Sequence, residues 1–308
     1  MWYFLRTMAS SRWSDVCAAG FALLVALVVA SAASPAPAPP RAIVFSAYPD
    51  GTGPAQLFRV PTTGGDLRQI TAGRRAATAP AFSPDGRRIA FVRLGSGIFR
   101  MNLDGNGLRR LTFGVRDSYP VWSPDGKRIA FVRPYKAQWR VHVMSASDGQ
   151  VRRLPEAPPA GRPSWTRDGK GIFIPAAADL VRIDARSGRV LKYYGLLLDI
   201  VTAQSATVSP NNRKVAYIGP RVSTGPDDCG EGPCPQFGLY LANVRVPHRP
   251  RRIVNDTGPA GWSPSGRSLV FVSRGSLTLM AVATRKKTAI ATGRHVATGD
   301  SPPAWQPP

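Results

Sequence analysis

The sequence contains few of the residues on which acid–base, covalent or metal chemistry usually depends. Among its 308 residues there are three histidines, three cysteines and 18 acidic residues. It has no G-x-S-x-G, H-E-x-x-H or phosphate-loop motif, and in "GWSPSG" a proline separates the two serines, as expected of a turn. His142 alternates with valines in a predicted strand, which favours a structural histidine. We therefore expect no catalytic residue, cofactor or metal site.

The small number of cysteines limits the disulfides that can form. Cys17 lies in the N-terminal segment, which leaves Cys229 and Cys234 in "DDCGEGPC". Two nearby cysteines in an exported protein usually form a disulfide, and we expect one here. Half of a metal site is the alternative reading. However, no neighbouring histidine or second cysteine pair would complete four ligands.

Acidic residues are outnumbered by 41 lysines and arginines, which gives a formal net charge of +23. Such a charge attracts nucleic acid, anionic lipid or acidic polymers without sequence preference. The basic residues are spread over the chain in short groups such as "GRR", "GKR" and "LRRL". This dispersion favours a basic surface over a specific nucleic-acid site. Nonspecific polyanion binding stays open as an alternative function.

The first forty residues have the pattern of an export signal. Arg6 and Arg12 precede an apolar stretch at 16–33, and "Ala30-Ser31-Ala32" offers small residues for cleavage. Residues 1–33 are therefore either a signal peptide or an uncleaved N-terminal membrane anchor. Residues 34–40, "SPAPAPP", are a Pro/Ala-rich linker. We expect the rest of the chain to be exported to the periplasm, the cell surface or the medium.

One phrase recurs along the chain, most clearly as "AFSPDGRRIAFVR" and "VWSPDGKRIAFVR". The position before each Ser-Pro or its counterpart is occupied by Phe82, Trp122, Trp165, Val208, Trp262 and Trp305. The intervals between these positions are 40, 43, 43, 54 and 43 residues, and such a period with four short strands per unit is typical of a propeller blade. The long interval contains a Pro- and Cys-rich stretch from about 219 to 238, which predicts a loop insertion.

Within each unit, the Ser-Pro-Asp-Gly segment predicts a tight turn between the first two strands. Pro84 presets φ, Asp85 tolerates the next position, and Gly86 takes a left-handed conformation. A cation site is the alternative, but one Asp per turn supplies too few oxygen ligands for Ca²⁺. The tryptophans share one offset in each unit, which favours packing between blades over a stacking platform for sugars or bases.

The two ends of the repeat region complete each other. Residues 41–47 match a second strand without a first, and residues 300–308 match a first strand without a second. Pairing of these segments would leave no free sheet edge. The sequence thus predicts an all-β fold over residues 41–308: a six-bladed propeller of four-stranded antiparallel blades, closed by the C-terminal strand.

These units resemble the TolB-type propeller repeat, whose consensus is similar to "WSPDGKRIAF…IYVMDLDGG…RRLT". Two units match it closely, and the resemblance covers nearly all of 41–308. Three units depart from it: Arg167 replaces the turn proline, Asn211-Asn212 replace Asp-Gly, and Ser265 replaces the Asp. The resemblance implies recognition through the loops that join the fourth strand of one blade to the first strand of the next.

Those loops are predicted at 71–79, 112–118, 155–162, 195–206, 255–259 and 292–301, all on one face around the axis. Their polar residues are the candidate binding site: Arg75, Arg116, Asp117, Arg162, Gln204, Asp256, His295 and Asp300. We expect a monomeric, non-catalytic protein that binds a protein or a cell-envelope polymer through this face. The alternative is a propeller enzyme, of hydrolase or lactonase type, with its site at the central funnel.

Overall fold

Six four-stranded antiparallel sheets form the blades of the propeller in the computed structural model. The structure describes residues 41–49, 53–176, 179–195, 206–220, 237–255, 257–273, 275–292 and 301–308. The predicted signal or anchor at 1–33, the linker at 34–40 and the Cys229–Cys234 disulfide lie outside these residues. In the described part of the chain, no helix is long and apolar enough to cross a bilayer. The prediction of an all-β, six-bladed propeller is confirmed.

Each blade is a meander whose first strand lines the propeller axis. Blade 1 combines β24 (Ala304–Trp305) with β1 (Ala42–Ala47), β2 (Gln56–Pro61) and β3 (Arg68–Gln69). Blade 2 contains β4 (Ala77–Phe82), β5 (Arg88–Arg93), β6 (Gly97–Asn102) and β7 (Arg109–Arg110). Blade 3 contains β8 (Ser118–Trp122), β9 (Arg128–Tyr135), β10 (Gln138–Ser145) and β11 (Val151–Arg153).

The second half of the ring repeats this arrangement. Blade 4 contains β12 (Ser164–Trp165), β13 (Gly171–Ala176), β14 (Asp179–Asp184) and β15 (Val190–Tyr193). Blade 5 contains β16 (Thr207–Val208), β17 (Lys214–Pro220), β18 (Phe237–Asn243) and β19 (Val246–Asn255). Blade 6 contains β20 (Gly261–Trp262), β21 (Ser268–Ser273), β22 (Ser276–Ala281) and β23 (Lys287–Thr292).

The insertion predicted from the long repeat interval lies between β17 and β18. These strands pair through Gly219 with Gly238 and as far as Pro220 with Phe237. Both pairs belong to the sheet, so the insertion predicted at about 219–238 is shorter by two residues at each end. Residues 221–236, which contain both cysteines of the predicted disulfide, lie outside the described residues.

The recurring turn owes its shape to a hydrogen-bonded Ser and Asp. Ser83 Oγ donates to Asp85 Oδ1 at 2.5 Å and accepts the Arg88 amide at 2.9 Å. Gly86 closes the turn with φ of +67°. Where the sequence lacks this glycine, Asn212 takes the same left-handed conformation, with φ of +58°. The interpretation of the phrase as turn chemistry is confirmed.

The turn carboxylates make the fold sensitive to acid. Hydrogen bonds from Ser83, Ser123 and Thr166 are the main reason why the pKa values of Asp85, Asp125 and Asp168, respectively, are lowered. Because the native state then binds fewer protons than the unfolded chain, this stabilisation is complete above about pH 5 and is lost as the pH falls through the unfolded and then the folded pKa values. The melting temperature should fall on acidification through this range.

Replacing the three aspartates by asparagine should reduce that acid-induced fall in melting temperature. Asparagine fits the turn, because Asn211 already accepts a hydrogen bond from Ser209 Oγ at 2.8 Å in blade 5. Asp66→Asn, at an exposed carboxylate outside the turns, is the control. Thermal melts at pH 7 and pH 3 give the comparison. An equal fall in the triple variant and the wild type would contradict the prediction.

The described residues form six hydrophobic core clusters, one at each interface between neighbouring blades. In β5, the run from Ile89 to Val92 is buried on both faces of the sheet, as the continuous apolar sequence predicts. Trp165 Nε1 donates to the Val121 carbonyl oxygen of the preceding blade at 3.0 Å. Packing of the tryptophans between blades is therefore confirmed.

The ring closes through the pairing that the chain ends predict. Trp305 pairs with Ile43 and Ala304 with Val44 in antiparallel register. The Gln306 side chain accepts the Ala42 amide at 2.8 Å and donates to the Gly86 carbonyl oxygen of blade 2 at 3.1 Å. One short strand thus completes blade 1 and also ties it to its neighbour.

Candidate functional site

The connections between strands emerge alternately on two sides of the ring. The hairpins between second and third strands lie on the same side as the loops that join one blade to the next, and we call this side the loop face. The opposite side, the turn face, carries the Ser-Pro-Asp-Gly turns and the connections between third and fourth strands. The predicted recognition site belongs to the loop face.

Two of the predicted site residues, Arg75 and Arg116, are exposed on the loop face. Arg75 Nη1 donates to the carbonyl oxygen of Gly95, in the hairpin of blade 2, at 3.1 Å. The Arg116 guanidinium lies 5.6 Å from the centre of the Trp139 ring in blade 3. Both arginines span neighbouring segments of the face and keep their charge accessible to a ligand.

Asp117 is buried, and this corrects its predicted role as a surface ligand. Its carboxylate accepts two hydrogen bonds from Arg133, Nε at 2.6 Å and Nη2 at 2.8 Å, and one from the Thr112 hydroxyl. The hydrogen bond to Asp117 raises the pKa of Arg133. A Cβ at Gly114 would overlap the carboxylate, which explains the glycine there. Asp117 therefore ties the loop to β9 instead of facing solvent.

The other predicted residues divide into two groups. Arg162 lies at the axial channel, which is described below. Gln204, Asp256, His295 and Asp300 lie outside the described residues, as do Cys229 and Cys234. Their predicted binding and disulfide roles stay predictions.

A group of apolar side chains on the loop face escaped the sequence prediction. The exposed fractions are 76% for Phe113, 59% for Val115, 53% for Leu94 and 41% for Tyr135. They lie in the hairpins and the joining loop of blades 2 and 3, and we call them the loop-face patch. They are apolar, so a prediction based on polar loop residues does not include them. The sequence signal was an apolar residue, such as the Phe and Val of "TFGVRD", within a loop.

Arginines are interleaved with this patch. The Arg110 guanidinium lies 4.3 Å from the Phe113 ring centre, and that of Arg153 lies 4.3 Å from the Tyr135 ring centre. An arginine held over an aromatic ring presents its charge beside an apolar surface. Such a surface suits a partner with apolar and acidic groups side by side.

An axial channel runs between the first strands of the blades, with a cavity volume of about 600 Å³. Most of its described lining is proline, tryptophan or another apolar residue, and the charged members are Arg162 and Arg167. At the turn face, five prolines occupy the same turn position: Pro84, Pro124, Pro210, Pro264 and Pro307. Arg167 occupies the sixth equivalent position and is exposed.

Arg162 lies at the loop-face end of the channel, directly before the first strand of blade 4. Its side chain is half-buried, and the Nη1 atom is buried without a hydrogen-bond partner among the described residues. Burial lowers the pKa of Arg162 to about 10, so the guanidinium stays charged at neutral pH. A buried donor atom of a cation that lacks an acceptor is costly in a folded protein.

The one histidine whose side chain is described has a structural environment. His142 is buried, stacks on Phe131 with ring centres 5.5 Å apart, and its Nδ1 lies 3.0 Å from the Arg140 carbonyl oxygen. Burial is the main reason why its pKa is lowered. In the described ranges, no group of three or more His, Cys, Asp or Glu side chains is placed to hold a metal.

Comparison with known proteins identifies what the chain is similar to. The family profile described as "TolB beta propeller domain" matches residues 24–189 and 68–223. No curated protein matches the sequence. Among solved structures, TolB from Acinetobacter baumannii is 20% identical, with a TM-score of 0.71 over 87% of this chain and 67% of that one.

Two further structures share the fold. A putative TolB from Agrobacterium tumefaciens is 17% identical, with a TM-score of 0.61 over 85% of this chain and 92% of that one. An oligogalacturonate lyase in complex with manganese is 13% identical, with a TM-score of 0.52 over 82% and 74%. Because these sequence identities are low and one fold supports many functions, the structural similarity establishes the propeller fold alone.

Proposed function

The chain belongs to the TolB beta propeller domain family, and from this premise we propose that it is an exported, non-catalytic protein that binds a protein partner through its loop face. The observation that carries the proposal is the loop-face patch, in which apolar side chains and arginines are exposed together. Aromatic residues and arginine supply much of the affinity of protein interfaces. Export rests on the N-terminal pattern of basic residues followed by an apolar stretch.

The charges of the patch define the chemistry of the partner. Arg75, Arg116 and Arg153 are exposed in or beside it, while Asp117 is neutralised internally by Arg133. Complementary charge raises association rates and selects among partners. The partner surface should therefore place acidic residues around an apolar centre.

Replacing Leu94 and Phe113 together by alanine should weaken partner binding by about thirtyfold or more. Truncation of a hot-spot aromatic side chain costs about 2 kcal/mol, which corresponds to that factor. The partner is first recovered from an envelope extract with the wild-type chain and identified by mass spectrometry. The affinities of the wild type and the variant for the purified partner are then compared by calorimetry.

The chain offers a matched control away from the patch. Leu108 and Leu191 are 48% and 42% exposed; Leu108 lies at a turn-face connection of blade 2, and Leu191 lies on the outer strand of blade 4. Their double replacement by alanine removes comparable apolar surface and should leave the affinity within about twofold of the wild type. Equal losses in the two double variants would contradict recognition through the loop face. Retention of an envelope polymer in place of a protein would contradict the class of partner.

A further inference from the structure

The axial channel has the size and lining of a site for a small molecule. Its volume of about 600 Å³ falls within the range of roughly 300–1,000 Å³ typical of ligand pockets. Trp262 and Trp305, which are half-buried, contribute aromatic surface, and Ser164, Thr207 and Asn211 add a few neutral polar groups. A mainly apolar cavity with few polar groups is the arrangement by which proteins bind organic ligands.

The charge of the channel lining indicates the charge that a bound ligand would carry. The described lining contains two arginines and no carboxylate. Arg167 is exposed at the turn face, where water solvates it. Arg162, in contrast, is half-buried at the loop-face end, and the exposed part of its side chain lines the channel. Its Nη1 atom is shielded and has no acceptor in the part of the chain that the structure describes, so the protein compensates this cation incompletely. An anion in the channel would supply the missing compensation through the accessible part of the side chain.

We propose that the channel binds a small organic monocarboxylate, whose carboxylate pairs with Arg162 and whose apolar body lies against the channel tryptophans. One partly buried guanidinium balances one negative charge, and its planar donors suit a carboxylate. A phosphate carries more charge than a single arginine neutralises. The apolar lining, in turn, disfavours a ligand that is polar throughout.

Calorimetry with the full chain tests the ligand class. The probes are phenylacetate, indole-3-acetate and octanoate, each paired with its neutral amide. At least one acid should bind with one-to-one stoichiometry, and its amide should bind about tenfold more weakly or worse, because a hydrogen bond to a charged group is lost. If no acid binds, if acid and amide bind equally, or if inorganic phosphate competes at a lower concentration than the acid, the proposal is wrong.

The two channel arginines provide a matched pair of variants. Arg162→Gln should weaken binding of the acid at least tenfold, whereas Arg167→Gln, at the other end of the same channel, should leave it within about twofold. Equal effects of the two substitutions would show that the general positive field, and not the buried guanidinium, attracts the acid.

Stability gives a second, independent measurement. If Arg162 is kept for a ligand, Arg162→Met should raise the melting temperature of the ligand-free chain by about 2–4 °C, because it removes a partly buried cation with an unsatisfied donor. A fall would mean that the chain itself supplies a partner for Arg162, which contradicts the proposal. The substitutions leave the loop-face patch intact. Failure of the channel site and failure of partner binding are therefore separate results.

Discussion

Removing residues 301–308 should abolish the cooperative thermal unfolding of the propeller. The deletion takes away β24, which covers β1, a strand whose six residues are all buried. The loss of stability should be comparable with the whole stability of a typical domain, about 5–15 kcal/mol. Circular dichroism melts and size-exclusion chromatography provide the measurement. The exposed edge of β1 should also promote aggregation.

The size of this effect follows from how many blades the last segment contacts. Ser301 Oγ accepts the Ala79 amide of blade 2 at 3.0 Å. On the other side, the Pro303 carbonyl oxygen lies so close to Gly261 that a Cβ there would overlap it. The deletion therefore opens the interfaces with both neighbouring blades as well as the sheet of blade 1. A deletion variant that melts like the wild type would refute closure by this strand.

A circular permutant separates the loss of the strand from the loss of the chain end. Trp305 pairs with Ile43 as Trp122 pairs with Ile129, so Pro308 and Arg41 occupy positions equivalent to Asp125 and Lys127. A single glycine between Pro308 and Arg41 would thus rebuild a complete turn. The permutant, with its new ends between residues 292 and 301, should keep a cooperative melt. An unfolded permutant would show that the present placement of the ends is itself required.

The architecture could be predicted from the sequence because it depends on local, repeated chemistry. A proline, an aspartate and a glycine at fixed offsets determine each turn, and the apolar run after them determines the buried second strand. The closure also follows from the repeat, since "DSPPAW" is a first strand without a second. Even the irregular turn with Asn212 obeys the same rule, because asparagine tolerates positive φ.

The site was harder to predict because burial of a loop side chain depends on contacts distant in sequence. Asp117 and Arg116 are adjacent loop residues, yet one is buried and the other is exposed. The difference comes from Arg133, which lies sixteen positions away on β9. Its guanidinium donates to the Asp117 carboxylate and holds that side chain inside the protein. The proposed role of Arg162 likewise depends on how the packing of the blades buries its Nη1 atom without an acceptor. The sequence cannot reveal either environment.

Replacing Asp117 by alanine should destabilise the propeller by about 3 kcal/mol. Breaking a buried ion pair by removing one partner costs roughly 3–5 kcal/mol. The lower end applies because the Arg133 side chain is 31% exposed, although the Asp117 side chain is fully buried. For a domain of this size the melting temperature should fall by about 6–12 °C. Arg116→Ala, at the adjacent exposed position, should leave it nearly unchanged.

The double variant Asp117→Ala with Arg133→Leu distinguishes a structural role of this carboxylate from a role in recognition. Because the second substitution removes the cation left without its partner, it should restore part of the lost stability. If Asp117 acts only through the fold, the double variant should bind the protein partner with wild-type affinity at a temperature where it is folded. Binding that stays weak in a fully folded double variant would show that the Asp117–Arg133 pair is needed to shape the loop that carries Phe113 and Val115 for recognition.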